Sequence, residues 1–335
     1  MNGSPSVKVA QFNRDSGSKS PCRWFWCLRI YMGLSAEHKL ILHIGGVYGE
    51  KEKAIERFCR NYEQLPEQVR ERLVIENDER CYHIRDVYDI GTRMKIPVVF
   101  DNLHHQLNLP RKPEKEAYWL QMCQETWEQK DGPQKIHYAQ QAEGKRPGAH
   151  SWAIRMEEFM DFIGGFPFDR TDIMLEVKNK NQSAITCMNY TRSDHNIRFL
   201  EKEWECYRFD VLSHSRKIYW QIEALLRDKN SYPVDAFYQL VSQALELADD
   251  REEQLNAMDH IWQYVKDAAE EREKRLFLRN IETFRLGDIS EAVICRQLYR
   301  LACKYHLDNL LYSYYFSVVS IIFRKFNSCR LVDLR

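Results

Sequence analysis

Five short apolar runs, at residues 40–44, 73–76, 96–101, 135–137 and 173–177, each enclose or end on an ionisable side chain: His43, Glu76, Asp101, His137 and Glu176. The runs are aliphatic and β-branched without polar alternation, the pattern of strands buried on both faces in a parallel sheet. Burying Asp, Glu or His is costly unless the group is paired or bound to metal. Five such residues in similar places call for one common cause, and shared metal coordination is the simplest.

Helical patterns separate the runs. Residues 50–65 put Ala54, Ile55, Phe58 and Tyr62 on one face, and 84–94, 114–127 and 152–163 repeat the idea. Strand and helix alternating at roughly thirty residues per unit is the rhythm of parallel βα units. In a (β/α) barrel the functional residues stand at the C-terminal ends of the strands, which is where these five fall. An open doubly wound sheet is the competing arrangement. However, no Gly-rich phosphate loop follows any run, since Gly45-Gly46-Val47-Tyr48-Gly49 fits neither the dinucleotide nor the P-loop pattern.

Local spacing refines the set. A lone histidine in a strand, such as His43, is usually a satisfied core residue, and only its company argues otherwise. Asp101 and His104, three residues apart on a strand-end turn, can face one metal or bridge two, while His105 points elsewhere, as a supporting group or substrate contact. Asp78 and Glu79 read as surface charge. Lys135 lies on the same side of its strand as His137, so unless it bends out to water it must pair with an acid, carry less charge or be chemically modified. His150 precedes a helix that Ser151 is suited to cap. Lys178 and Lys180, beyond Glu176, suit either a phosphate contact or a solvated loop.

Residues 1–31 are polar and then aromatic around Trp24, without a helix or strand period, and are expected to be irregular. Residues 32–190 form the expected metal-bearing α/β domain. Residues 191–335 read as a helical C-terminal domain for packing, partner contact or substrate embrace. There Leu200, Trp204, Tyr207, Val211 and Leu212 share a face, as do Tyr219, Ile222, Leu225 and Leu226; Tyr232-Pro233 opens a helix and Gly287 ends one. Lysines plus arginines equal aspartates plus glutamates at 49 each, which counts against an extended phosphate-gripping surface but not against a local basic rim. No run reaches the roughly 18 apolar residues of a membrane span, the tail at 312–323 included. The ten cysteines contain no CxxC pair, so reduced thiols and a cytoplasmic setting are expected.

Taken together, the segments His43-Ile44-Gly45-Gly46 with Tyr48-Gly49-Glu50-Lys51, Arg72 through Asp78, Asp101 through His105, Lys135-Ile136-His137, His150-Ser151 and Met174 through Lys178 resemble the UV damage endonuclease family (UvsE/UvdE), itself similar in fold to the apurinic endonuclease IV group. The resemblance covers about 40–188. It implies a partial TIM barrel of the endonuclease IV-like type, holding up to three divalent ions, Mn or Zn, on His43, Glu76, Asp101, His104, His137, His150 and Glu176. It implies catalytic roles for Lys135, Glu76 and Glu176, with Lys135 matching a lysine that can be carboxylated. The implied activity is hydrolysis of UV-damaged double-stranded DNA on the 5′ side of a photoproduct. Family members carry about three further βα units before the strand at Leu40, with two more histidine ligands and the side chains that wedge into the duplex. The chain is therefore expected to be a truncated member, weakly active or inactive, with two raw sheet edges.

Two other readings stay open on the residues alone. One is a xylose-isomerase-like metal barrel acting on a sugar, which the density of histidine disfavours. The other is a non-catalytic protein whose helical half binds a partner.

Overall fold

The structure, a computed structural model, describes residues 35–112, 114–165 and 170–317. The irregular segment expected at 1–31, and the apolar tail beyond residue 317, lie outside the described residues. The chain divides after Arg192 into two units.

In the first unit strand and helix alternate as the apolar runs require: β1 (Leu40–His43), α1 (Lys51–Glu63), α2 (Glu67–Arg70), β2 (Leu73–Glu76), α3 (Ile84–Met94), β3 (Val98–Asp101), α4 (Asn102–Leu107), α5 (Glu116–Gln124), β4 (Gln134–Tyr138), α6 (Met156–Gly164), β5 (Thr171–Leu175) and α7 (Asn181–Thr191). All four strand pairings are parallel and the sheet runs β1-β2-β3-β4-β5 in chain order. A doubly wound sheet reverses its strand order, whereas strands that follow one another in sequence form an arc of a (β/α) barrel. The arc curls. Lys39, just before β1, reaches Asp131, just before β4, at 2.5 Å. In a flat sheet those strands would stand about 14 Å apart. Among the described residues, β1 and β5 each keep one edge without a strand partner.

Alternation along the strands sorts their side chains. Leu73, Ile75, Val98, Phe100, Ile136, Tyr138, Ile173 and Leu175 enter the core beneath the helices, with Val87, Ile90, Trp119, Leu120 and Phe159. The residues between them, including Glu76, Asp101, Lys135 and His137, therefore point to the concave side. Helix α3 closes on β3 through Gly91, where an added Cβ would lie 2.4 Å from Val98 Cγ2 and 2.8 Å from the Ile96 carbonyl oxygen. A mid-helix glycine is intrinsically unfavourable, so this close approach explains its presence. Gly91→Ala is expected to cost about 1–3 kcal/mol by overpacking, read by urea unfolding, despite the better helix propensity of alanine.

Three local expectations are corrected. The run at 96–101 forms a strand only from Val98, because Pro97 has no N–H to donate. The turn after Asp101 is helix α4, with Asp101 as its cap: Asp101 Oδ1 accepts from the His104 N–H at 2.7 Å. The helix expected from residue 152 begins at Met156, and Ser151 does not cap it; its hydroxyl donates to the Ala153 carbonyl. The intervening backbone is committed elsewhere. The Ser151 and Trp152 carbonyls accept from Lys178 and Asn179, and the Ile154 N–H donates to Ser183 Oγ.

The second unit is helical: α8 (Arg198–His214), α9 (Arg216–Leu225), α10 (Val234–Leu245), α11 (Arg251–Val265), α12 (Glu271–Leu286), α13 (Glu291–Lys304) and the short α14 (Asp308–Leu311). One core joins Leu200, Trp204, Tyr207 and Val211 of α8 to Ile218, Ile222, Phe237 and Val241. A second gathers Met258, Ile261 and Trp262 of α11 with Phe277, Phe284, Ile294 and Leu298. Gly287, at φ 91°, ends α12 in the left-handed conformation expected of it. The seven described cysteines are free thiols. No described helix is long and apolar enough to cross a membrane.

Candidate metal centre

The strand ends place their ionisable side chains on the concave side of the arc, where they meet around Glu76. This carboxylate, 2 % exposed, closes β2. Its Oε1 lies 2.8 Å from His137 Nδ1 on β4 and 3.8 Å from His104 Nδ1 on α4, and its Oε2 lies 3.5 Å from His43 Nε2 on β1. Asp101 Oδ2 is 3.9 Å from His137 Nδ1. Glu176, just past β5, bridges outward, with Oε1 3.3 Å from His137 Nδ1 and Oε2 3.4 Å from His150 Nε2. All seven residues expected as ligands therefore join one connected cluster. Two subsets, His43-Glu76-His104 and Glu76-Asp101-His137, bring one donor atom from each residue within 4.8 Å of one another, and Glu76 belongs to both. His150 and Glu176 are half-exposed at the mouth.

Two asparagines that reading the sequence missed hold the strand ends in place. Asn77 and Asn102 are 0 % and 3 % exposed. Asn77 accepts from the Asp101 N–H at 2.9 Å and donates to the Asp101 carbonyl at 3.0 Å. Asn102 does the same for Ala139, at 2.8 and 3.0 Å. Each amide extends a parallel ladder past the strand end through a side chain. The available signal was a repeated dipeptide, an acid followed by asparagine at 76–77 and again at 101–102. Asn77→Ala would leave a buried N–H and a buried carbonyl unpaired, with an expected loss of about 2–4 kcal/mol in chemical unfolding.

The loop carrying His150 is secured by two glutamines, also unanticipated. Gln141 pairs with His150 as an isolated antiparallel bridge, and its side chain accepts from the Gly148 N–H. Gln140 accepts from the Arg155 N–H and donates to the Tyr138 hydroxyl. His104 is oriented by the Asn77 carbonyl, 2.9 Å from its Nδ1.

His105 is 2 % exposed and packs against Phe100 in the core beneath the helices, so it is not a substrate contact. Burial pulls its pKa down, keeping it neutral. Glu79 is not plain surface charge: its Oε2 lies 3.9 Å from His104 Nε2, at the edge of the cluster. Asp78 accepts from the N–H groups of Arg80, Cys81 and Tyr82, fixing the turn after β2. Lys135 pairs with Asp172 at 2.9 Å, across the β4–β5 register, so the first of its three possible outcomes, an acid partner, is met. Lys178 and Lys180 are exposed.

Electrostatics follow from burial and crowding. Burial would raise the Glu76 pKa, but the imidazoles of His137, His43 and His104 outweigh it and hold the carboxyl below its usual range. Asp101 is pushed up to about 7 by burial and by the Glu76 charge, against the pull of His104 and His137. Burial disfavours the imidazolium of His137, yet Glu76, Glu176 and Asp101 raise it to about 9. Even so, Asp101 Oδ2 and His137 Nε2 are buried without a hydrogen-bond partner. Carboxylates and imidazoles crowded together, with a buried oxygen and a buried ring nitrogen left unpartnered, suit a divalent cation of the Zn, Mn or Fe type once the imidazoles are deprotonated, so the donor set fits the expected metal.

Comparison with known proteins bears on both units. The family model described as UV-endonuclease UvdE matches residues 28–203, and a model described as protein of unknown function (DUF1722) matches 208–319. The UV DNA damage endonuclease of Clostridium perfringens is 38% identical over 197 residues, 57% of this chain and 47% of that protein. That of Bacillus mycoides is 36% identical over 156 residues, 46% of this chain and 49% of that protein. A crystal structure of SacUVDE aligns at a TM-score of 0.46 with 34% identity, covering 50% of this chain and 55% of that one. The chain thus spans about half the length of the curated relatives it matches. With just over half of its own residues inside one family model, the chain belongs to the UV-endonuclease UvdE family.

Proposed function

We propose that this protein is a metal-dependent DNA repair endonuclease that nicks double-stranded DNA on the 5′ side of UV photoproducts. The observation that carries the reading is the convergence of His43, Glu76, Asp101, His104, His137, His150 and Glu176 on one side of the strand arc, in a chain of this family. These seven would hold divalent ions, Mn or Zn. Such ions supply Lewis acidity to a phosphodiester and acidify water at neutral pH.

The chain's own residues divide the remaining work. Glu76 fixes the imidazoles of His43, His104 and His137 from the interior. Glu176, at the mouth between His137 and His150, would accept a proton from an attacking water through whichever carboxylate oxygen is not holding an ion. Lys135 and Asp172 lie one layer deeper on β4 and β5 and set the field beneath the cluster as a positioning pair. The sugar-isomerase reading gains no support from a cluster with four imidazoles.

The test uses supercoiled plasmid, irradiated and plain, with purified protein in Mn, in Zn and in chelator. The reading expects relaxed circles from irradiated plasmid with metal only. Absence of metal-dependent nicking on irradiated DNA would overturn it.

A further inference from the structure

A cavity of about 390 Å³ is lined by His83, Arg85, Pro110, Arg111 and Lys112. It is formed by the segments that follow β2 and β3, the same strands that deliver Glu76 and Asp101. The Asn108 amide donates to the Asp78 carbonyl and ties the two segments together. Helix α4 starts with His104 in its first turn and ends at Leu107, three residues before Pro110.

Four of the lining residues are basic, and two of them already have acidic partners outside the lining. Arg85 is held by Glu114 and lies over the Trp119 ring at 5.1 Å. His83 and Lys51 share the Asp86 carboxylate. Arg111 and Lys112 are exposed, and no acidic residue lines the cavity with them. Buried Pro110 fixes the chain leading to them. A fork of guanidinium donors and an ammonium facing one concavity matches the oxygens of a phosphodiester. The neutral net charge of the chain hides this local excess.

We propose that this cavity binds a backbone phosphate of the DNA strand and anchors the duplex independently of the lesion. The inference rests on the nuclease reading for its substrate, but its test does not need turnover. Fluorescence anisotropy of a labelled, unirradiated duplex is measured against salt, for the wild type, for Arg111→Gln/Lys112→Gln and for Arg111→Glu/Lys112→Glu, all metal-loaded. Both positions are exposed and outside the cluster, so metal content and melting should not move.

The expected result is a log–log salt slope shallower by about 1–2 in the neutral variant. Affinity at low salt should fall about tenfold or more, and further in the charge-reversed variant. On irradiated plasmid KM should rise with kcat kept. Variants that match the wild type in slope and affinity would overturn the anchor while leaving nicking intact. A wild type that binds no duplex would overturn it too. Conversely, DNA bound through these residues without any metal-dependent nicking would support the anchor and overturn the nuclease reading.

Discussion

Glu76→Gln is expected to lower metal-dependent nicking on the order of a thousandfold, equal to about 4 kcal/mol of transition-state stabilisation, and to strip most of the bound metal. The substitution keeps the shape of the side chain and removes its charge. That charge is shared, because Glu76 belongs to both subsets of the cluster and touches His43, His104 and His137. Removing one partner from a buried charged pair costs about 3–5 kcal/mol, so the first unit should also melt earlier. Glu79→Gln is the control: it sits at the cluster's edge, 3.9 Å from His104, and should change nicking less than about tenfold. Metal analysis and plasmid nicking on the same preparations read both outcomes. Equal metal content in wild type and Glu76→Gln would contradict the shared-ligand role.

The second large effect is on stability. At a thousandfold excess over its dissociation constant, a ligand that binds only the native state adds about 4 kcal/mol. For a unit of this size that is a rise of roughly 8–16 °C in Tm, by calorimetry with Mn against chelator. The helical unit contains neither subset of the cluster and should not shift. The gain should depend on pH. In the metal-free protein the His137 pKa lies at about 9, above its ordinary 6.5. The stability this contributes is fully present below pH 6.5 and is lost as pH rises through 9. Asp101, raised from 3.8 to about 7, loses its contribution on the same rising limb, at lower pH. Metal needs deprotonated ligands, so the difference in Tm between loaded and metal-free protein should widen from pH 6.5 to 9. A constant difference would contradict it.

The fold and most of the cluster were legible because they break a rule of burial. An acid or imidazole closing an apolar strand is expensive, so His43, Glu76, Asp101, His137 and Glu176 announced both the strands and a shared purpose. The supports were hidden for the opposite reason. Asn77, Asn102, Gln140 and Gln141 look like ordinary loop residues, since a polar side chain pairing with a neighbouring backbone leaves no periodicity behind. Asp172 was missed because β5 begins two residues before its apolar run, and with it went the partner of Lys135. Helix α7 carries Asn, Ser and Thr in place of a clear apolar stripe, so its pattern was weak. The late start of α6 was set by long-range hydrogen bonds to Lys178, Asn179 and Ser183, which no local pattern encodes.

The proposed activity requires that these side chains hold a cation together. Crystals grown with Mn and measured for anomalous scattering give the direct test. Difference peaks ligated by His43, Glu76 and His104 and by Glu76, Asp101 and His137 are expected. A well-ordered map with no anomalous peak at either subset, or with Mn bound elsewhere while these imidazoles and carboxylates contact only one another, would contradict that expectation.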